Sequence, residues 1–146
     1  MLSLDYIAGC IDCDGSISIS SRNRDNSFNF VVNFRQLEYA RPYLEEMQQI
    51  LGAGKIYTHS GPGQKMLTWQ TTTMEEARKV CQILIPYLKF KRRQAELVVK
   101  AIDIWESSKL GRKGAGFYHS QDAKDQIKVI AKSLNINNQT NTIRKK

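Results

Sequence analysis

The segment "YIAGCIDCDGSISIS", Tyr6 to Ser20, sets two acids two apart, Asp12 and Asp14, interleaved with Cys10 and Cys13. Such closely spaced carboxylates suit a hard cation, and D-x-D-G-x-I matches the middle of a calcium loop. That reading fails on register. With Gly15 as the loop glycine, the first ligand position falls on Cys10, and the last, which requires a bidentate acid, falls on Ser21. Cys10 and Cys13 have the form of half a zinc site or of a redox pair. A tetrahedral centre needs four ligands, however, and the other candidates, Cys81, His59 and His119, are scattered singly. A redox C-x-x-C opens a helix in a βαβ setting, whereas this one closes a helix.

The elements around these residues follow from periodicity. Ser3 is an N-cap, Asp5 sits in the first turn, and Leu4, Ile7, Ala8 and Ile11 share one face, which predicts a helix from about Leu4 to Cys13. Tyr6, Gly9 and Cys13 form a second stripe roughly opposite, with Gly9 and Cys13 small enough for another helix to approach. After Gly15 the period becomes two: Ile17 and Ile19 alternate with Ser16, Ser18 and Ser20. The polar "RNRDNS" turns the chain into "FNFVVNFR", where Phe28, Phe30, Val32 and Phe34 alternate with Asn29, Val31, Asn33 and Arg35.

A helix follows through Ala40, Tyr43, Leu44, Met47, Ile50 and Leu51, stopped by Gly52. A second hairpin, "KIYTHS" and "KMLTWQTT" around "GPGQ", leads into a helix from about Met74 to Ile85, ended by Pro86. Two hairpins, each followed by a helix, predict an α+β fold with an αββαββα core, in which one four-stranded antiparallel sheet carries helices on its apolar face. C-terminal helices complete it: "KRRQAELVVKAIDIWE", then a helix capped by Ser120 after a Gly-rich basic loop over 107–119. Residues 1–135 read as one domain and 136–146 as a polar, flexible tail.

Lys plus Arg number 22 against 14 Asp plus Glu in 146 residues, a formal charge of +8 that favours a polyanionic partner, nucleic acid before membrane surface. No apolar run is long enough to span a bilayer, and the start lacks a secretory pattern, so an intracellular protein is expected, in the cytoplasm of a microbe or an organelle. Three cysteines in such a chain argue against a disulfide framework.

The nonapeptide "IAGCIDCDG", Ile7 to Gly15, resembles the LAGLIDADG motif of homing endonucleases, and so does the order of elements across most of the chain. "PYLKFKRRQAELVVKAI" is similar to that family's basic segment before a long helix. The resemblance implies that the motif helix packs on its counterpart across a two-fold axis through Tyr6, Gly9 and Cys13. It implies that Asp14, with the main-chain carbonyl of Cys13, binds Mg²⁺, for which Mn²⁺ substitutes. Metal so placed activates water and stabilises both oxygens of the phosphodiester displacement. Asp12, by projection on the helix flank, reads instead as a structural hydrogen-bond acceptor. Residue by residue, Gln36 matches the position that orders the attacking water, and Lys91 matches a basic residue near the scissile phosphate. The pattern's other basic residue aligns with Ala40, a departure that leaves Arg41 as a substitute or Lys91 acting alone.

A DNA-reading sheet would present its polar face to the major groove. Alternation nominates Ser18, Ser20, Arg22 and Arg24, then Ser27, Asn29 and Asn33, and on the second hairpin Lys55, Tyr57, His59, Thr68 and Gln70. Lys89, Arg92, Arg112 and Lys113 suit phosphates or simply solvate. With one motif per chain, a homodimer reading a long pseudo-palindromic double-stranded DNA site is expected. The rivals are a DNA-binding regulator that has lost cleavage and an RNA maturase that assists intron splicing; double-strand cleavage by the protein separates them.

Overall fold

The computed structural model describes the backbone of residues 1–22, 27–113 and 116–144, and the side chains of 1–22, 27–111 and 119–134. Helix α1, Leu4–Asp14, starts where the Ser3 hydroxyl accepts the Tyr6 N–H at 3.1 Å, and it buries Ile7, Ala8, Ile11 and Asp12. Gly15 ends it in extended conformation and starts β1, Gly15–Arg22. No other residue fits this junction, because a Cβ there would lie 2.7 Å from the Ile11 Cα and 2.9 Å from the Asn33 carbonyl.

Strand β2, Ser27–Leu37, runs back along β1 and leads through a 3-10 turn, Glu38–Ala40, into α2, Arg41–Leu51. Gly52 takes a left-handed φ of 61° there and donates to the Gln48 carbonyl at 2.9 Å. Strands β3, Lys55–His59, and β4, Met66–Gln70, form the second hairpin, followed by α3, Met74–Leu84, and α4, Arg92–Ser107. The sheet is antiparallel throughout, in the order β1-β2-β4-β3. Its central pair, β2 and β4, is the sequence repeat closed on itself.

Alternation decides which face is covered. Ile17, Ile19, Phe28, Phe30, Val32, Phe34, Leu67 and Trp69 are buried beneath the helices, with α1 and α3 against β2 and α4 against β1. Trp69 is wholly enclosed, and its indole N–H donates to the Ala53 carbonyl at 3.1 Å. The expected α+β architecture is therefore the observed one.

The segment 107–119 is a correction, since the sequence reading made it a loop. Lys109–Lys113 (β5) pairs with Gly116–His119 (β6) in a separate antiparallel hairpin. Its glycines dilute strand propensity, so the signal lies in tertiary contacts: the His119 ring stacks on Trp105 at 3.5 Å and Nδ1 lies 2.9 Å from the Ser108 hydroxyl. Ser120 does cap α5, Gln121–Arg144, accepting the Ala123 N–H at 3.2 Å. The backbone of α5 continues through most of the segment read as a tail.

Candidate active site and nucleic-acid interface

The two acids of the opening segment have separate fates. Asp12 is 6% exposed, and its carboxylate accepts three main-chain N–H groups: Lys89 at 2.7 Å, Phe90 at 3.2 Å and Lys91 at 2.9 Å. It is the structural acceptor that its place on the helix flank suggested. Asp14 is exposed at the last position of α1. There it adds a full negative charge to the negative end of the helix dipole, so this end of α1 attracts cations.

Asp14 opens onto a cleft of roughly 360 Å³ between α1, the end of β2 and the start of α2. Gln36 lines the same cleft, as do Tyr6, Cys10, Tyr39 and Tyr43. Gln36 gets there by parity: it continues the inward-facing series of β2 past the core, opposite Leu67. Asp14 and Gln36, 22 positions apart by their residue numbers, thus share one cavity. Burial pushes the Cys10 thiol above its usual range, a shift that a hydrogen bond from Tyr6 partly offsets.

Lys91 does not line this cleft. Its ammonium donates to the Asp12 carbonyl at 2.5 Å, at the C-terminal end of α1, so it lies beside the Asp14 junction on a different flank. Ala40 lines the cleft and is buried. Arg41 is engaged elsewhere: its guanidinium donates to Glu38 at 2.8 and 3.1 Å and to the Thr58 hydroxyl at 3.3 Å. The Arg41 hydrogen bonds hold the Glu38 carboxyl below its ordinary range.

The stripe Tyr6, Gly9 and Cys13 is open. Tyr6 is 59% exposed, Cys13 is exposed, and a Cβ built on Gly9 meets no atom within 4 Å. Among the described residues no three His, Cys, Asp or Glu side chains converge. One chain therefore offers a cation Asp14 and main-chain oxygen. The carbonyls of the last helical turn, Cys13 among them, have no partner within the helix.

On the outer sheet face the register sorts the nominated residues into cross-strand rows. Ser16, Asn33, Gln70 and Lys55 form one row, and Arg35, Thr68 and Tyr57 form the row next to the α1 end. Ser18 lies opposite Val31, Ser20 opposite Asn29, and Arg22 opposite Ser27 toward the turn. The His59 ring bonds the Thr68 hydroxyl at 3.1 Å, and the Lys55 ammonium sits 6.0 Å above the Tyr57 ring. A shallow depression of roughly 210 Å³ crosses this face, lined in part by Arg22, Asn29, Val31, Tyr57 and Gln70. Arg24 lies outside the described residues, as do the side chains of Arg112 and Lys113. The residue that sequence reasoning missed is Arg35, exposed on this face although its alternation was legible.

No helix among the described residues is long and apolar enough to cross a membrane. A family model described as LAGLIDADG endonuclease matches residues 7–102. Among solved structures, the homing endonuclease I-CvuI in complex with its target superposes with a TM-score of 0.61 at 23% identity, over 90% of this chain and 94% of that one. The LAGLIDADG homing endonuclease I-GzeII, in complex with a DNA target, gives 0.73 at 19% identity, over 90% of this chain and 43% of that one. The archaeal intron-encoded homing endonuclease I-Vdi141I, complexed with DNA, gives 0.62 at 19%, over 88% and 94%. At such identities these likenesses concern the fold. No curated protein matches the sequence significantly.

Proposed function

This chain belongs to the LAGLIDADG endonuclease family, and from that premise we propose that it is a homodimeric, site-specific DNA endonuclease that makes a double-strand break by Mg²⁺-dependent phosphodiester hydrolysis. The observation that carries the reading is the cleft that Asp14 and Gln36 share between α1, the end of β2 and the start of α2. A carboxylate to bind metal and an amide to order water there share one cavity, and Arg35, next to Gln36 in sequence, lies on the opposite sheet face that would read bases.

The donor set fits a hard cation that keeps several waters: exposed carboxylate oxygens at a helix C-terminus, with the Cys13 carbonyl beside them. When bound, Mg²⁺ supplies an activated water and neutralises charge on the phosphodiester. The side chains do the rest. Asp14 and the Cys13 carbonyl hold the cation, and the Gln36 amide accepts from and donates to the attacking water, fixing its line of approach. Lys91, anchored through Asp12, places a positive charge beside the junction.

Dimerisation follows from the incompleteness of one copy and the open stripe on α1. The matched fold fills nearly all of I-CvuI and less than half of I-GzeII, as expected of a fold that works in pairs, in two chains or twice in one. Each β2 of 11 residues spans roughly 36 Å, about one turn of duplex, so a dimer addresses about two turns. Homing of a mobile intron is the biological use this activity serves in the family.

The test is to incubate the protein with a randomised duplex library in Mg²⁺ and in Ca²⁺, and to sequence bound and cut molecules. Symmetric sites cut only with Mg²⁺ support the reading. Sites bound and never cut would instead indicate a regulator, and an absence of any DNA enrichment would indicate an RNA partner.

A further inference from the structure

We propose that Arg35 is the second cation of the reaction centre, its guanidinium gripping the non-bridging oxygens of the phosphodiester held at Asp14. The inference rests on the reading of Asp14 as the cation-binding carboxylate. The register carries it. Strands β1 and β2 pair from Arg22 with Ser27 down to Gly15 with Phe34, and the residues that flank this last pair are Asp14, which ends α1, and Arg35. Neighbouring strands lie about 5 Å apart. The junction is also tight, because a Cβ on Gly15 would meet the Asn33 carbonyl at 2.9 Å.

Parity then divides the work between neighbours in sequence. Gln36 turns into the cleft beside Asp14, while Arg35 emerges on the outer face in the row of Thr68 and Tyr57. A phosphodiester bound at Asp14 from the sheet side would therefore have Gln36 toward the water and Arg35 toward the duplex.

The other local cations are committed. Arg41 is bound by Glu38 and Thr58, and Lys91 by the Asp12 carbonyl. The Arg35 side chain is exposed and makes no hydrogen bond or ion pair among the described residues. A guanidinium presents a planar fork that matches two phosphate oxygens at once, which an ammonium cannot do. Because the Arg35 row lies nearest Asp14, this cation meets the cut strand's backbone rather than the outer base pairs.

The experiment compares the parent with Arg35→Ala, Arg35→Lys and Arg41→Ala on the selected target, measuring single-turnover cleavage in Mg²⁺ and the salt dependence of binding in Ca²⁺. Arg35→Ala should cut about 10²-fold more slowly, lower the salt slope by about one contact per protomer, and do so on every target sequence. Arg35→Lys, which keeps the charge and loses the fork, should recover part of the rate, and Arg41→Ala should cut like the parent. Parent-like cleavage by Arg35→Ala overturns the proposal. So does an effect confined to one base pair, which would make Arg35 a base reader, or an equal loss in Arg41→Ala. A parent that binds its target and never cuts it overturns the Asp14 reading itself, an outcome distinct from all of these.

Discussion

Asp12 and Lys91 hold each other at both ends: the Asp12 carboxylate accepts the Lys91 main-chain N–H at 2.9 Å, and the Lys91 ammonium donates to the Asp12 carbonyl at 2.5 Å. With the bonds to Lys89 and Phe90, one buried side chain fastens the segment before α4 to the end of the motif helix. Hydrogen bonds to a charged acceptor are the stronger kind, and loss of that acceptor leaves partly buried N–H groups unpaired. Asp12→Ala should therefore destabilise the fold by about 3 kcal/mol or more, read by urea denaturation. A loss below about 0.5 kcal/mol would mean that the segment holds its shape without Asp12.

The two glycines of the motif should respond oppositely to substitution. Gly15→Ala drives a methyl into backbone that cannot yield, and should cost about 1–3 kcal/mol. Gly9→Leu enters open space in a helix interior, and should leave the monomer's stability unchanged or raised by up to about 1 kcal/mol. If two α1 helices pack through Gly9, that same change should weaken the dimer by tenfold or more, about 1.4 kcal/mol, measured by sedimentation. A dimer that ignores Gly9→Leu must be built on another face.

Glu76 should contribute to the acid limb of stability. Burial raises its pKa, but the Thr72 hydroxyl and the main-chain N–H groups of Gly54 and Thr72 outweigh this and hold it below its model-compound value of 4.5. A lowered folded pKa contributes stability that is fully present above the unfolded value and is lost as pH falls through the folded one. Thermal denaturation from pH 7 to 3 should show this slope steepening below about pH 4.5. In Glu76→Gln the slope should shrink, with a loss of about 1–2 kcal/mol at neutral pH; an unchanged acid limb would assign it to other carboxylates.

Arg22, opposite Ser27 at the far end of the sheet, should read a base pair distant from the cut. Arg22→Ala should cost about 1–3 kcal/mol at one position in each half-site if the contact is bidentate. Competition binding across single-base variants of the target checks this, and equal weakening on all of them would mark a phosphate contact.

Much of this organisation was legible before any coordinates. The period change at Gly15 marks the helix–strand junction, and the alternation of Phe28 to Phe34 separates the core face from the outer one. Projection on the helix separated buried Asp12 from exposed Asp14. The β5–β6 hairpin was illegible because its strands are short and Gly-rich, and what holds it is the distant Trp105. The fate of Arg41 depended on a 3-10 turn that brings Glu38 beneath it, a local geometry without a periodic signature. Arg35 stood in the alternating series, but its neighbourhood with Asp14 emerges only from the pairing register.

The central claim is that Asp14 holds the cation that cuts DNA, and Asp14→Asn tests it most directly. The carboxylate is exposed and takes no part in the Asp12 network, so the variant should fold, dimerise and bind the selected duplex in Ca²⁺ as the parent does. In Mg²⁺ it should make no double-strand break over a time in which the parent cuts to completion. Cleavage at the parent's rate by a folded Asp14→Asn protein would contradict the account.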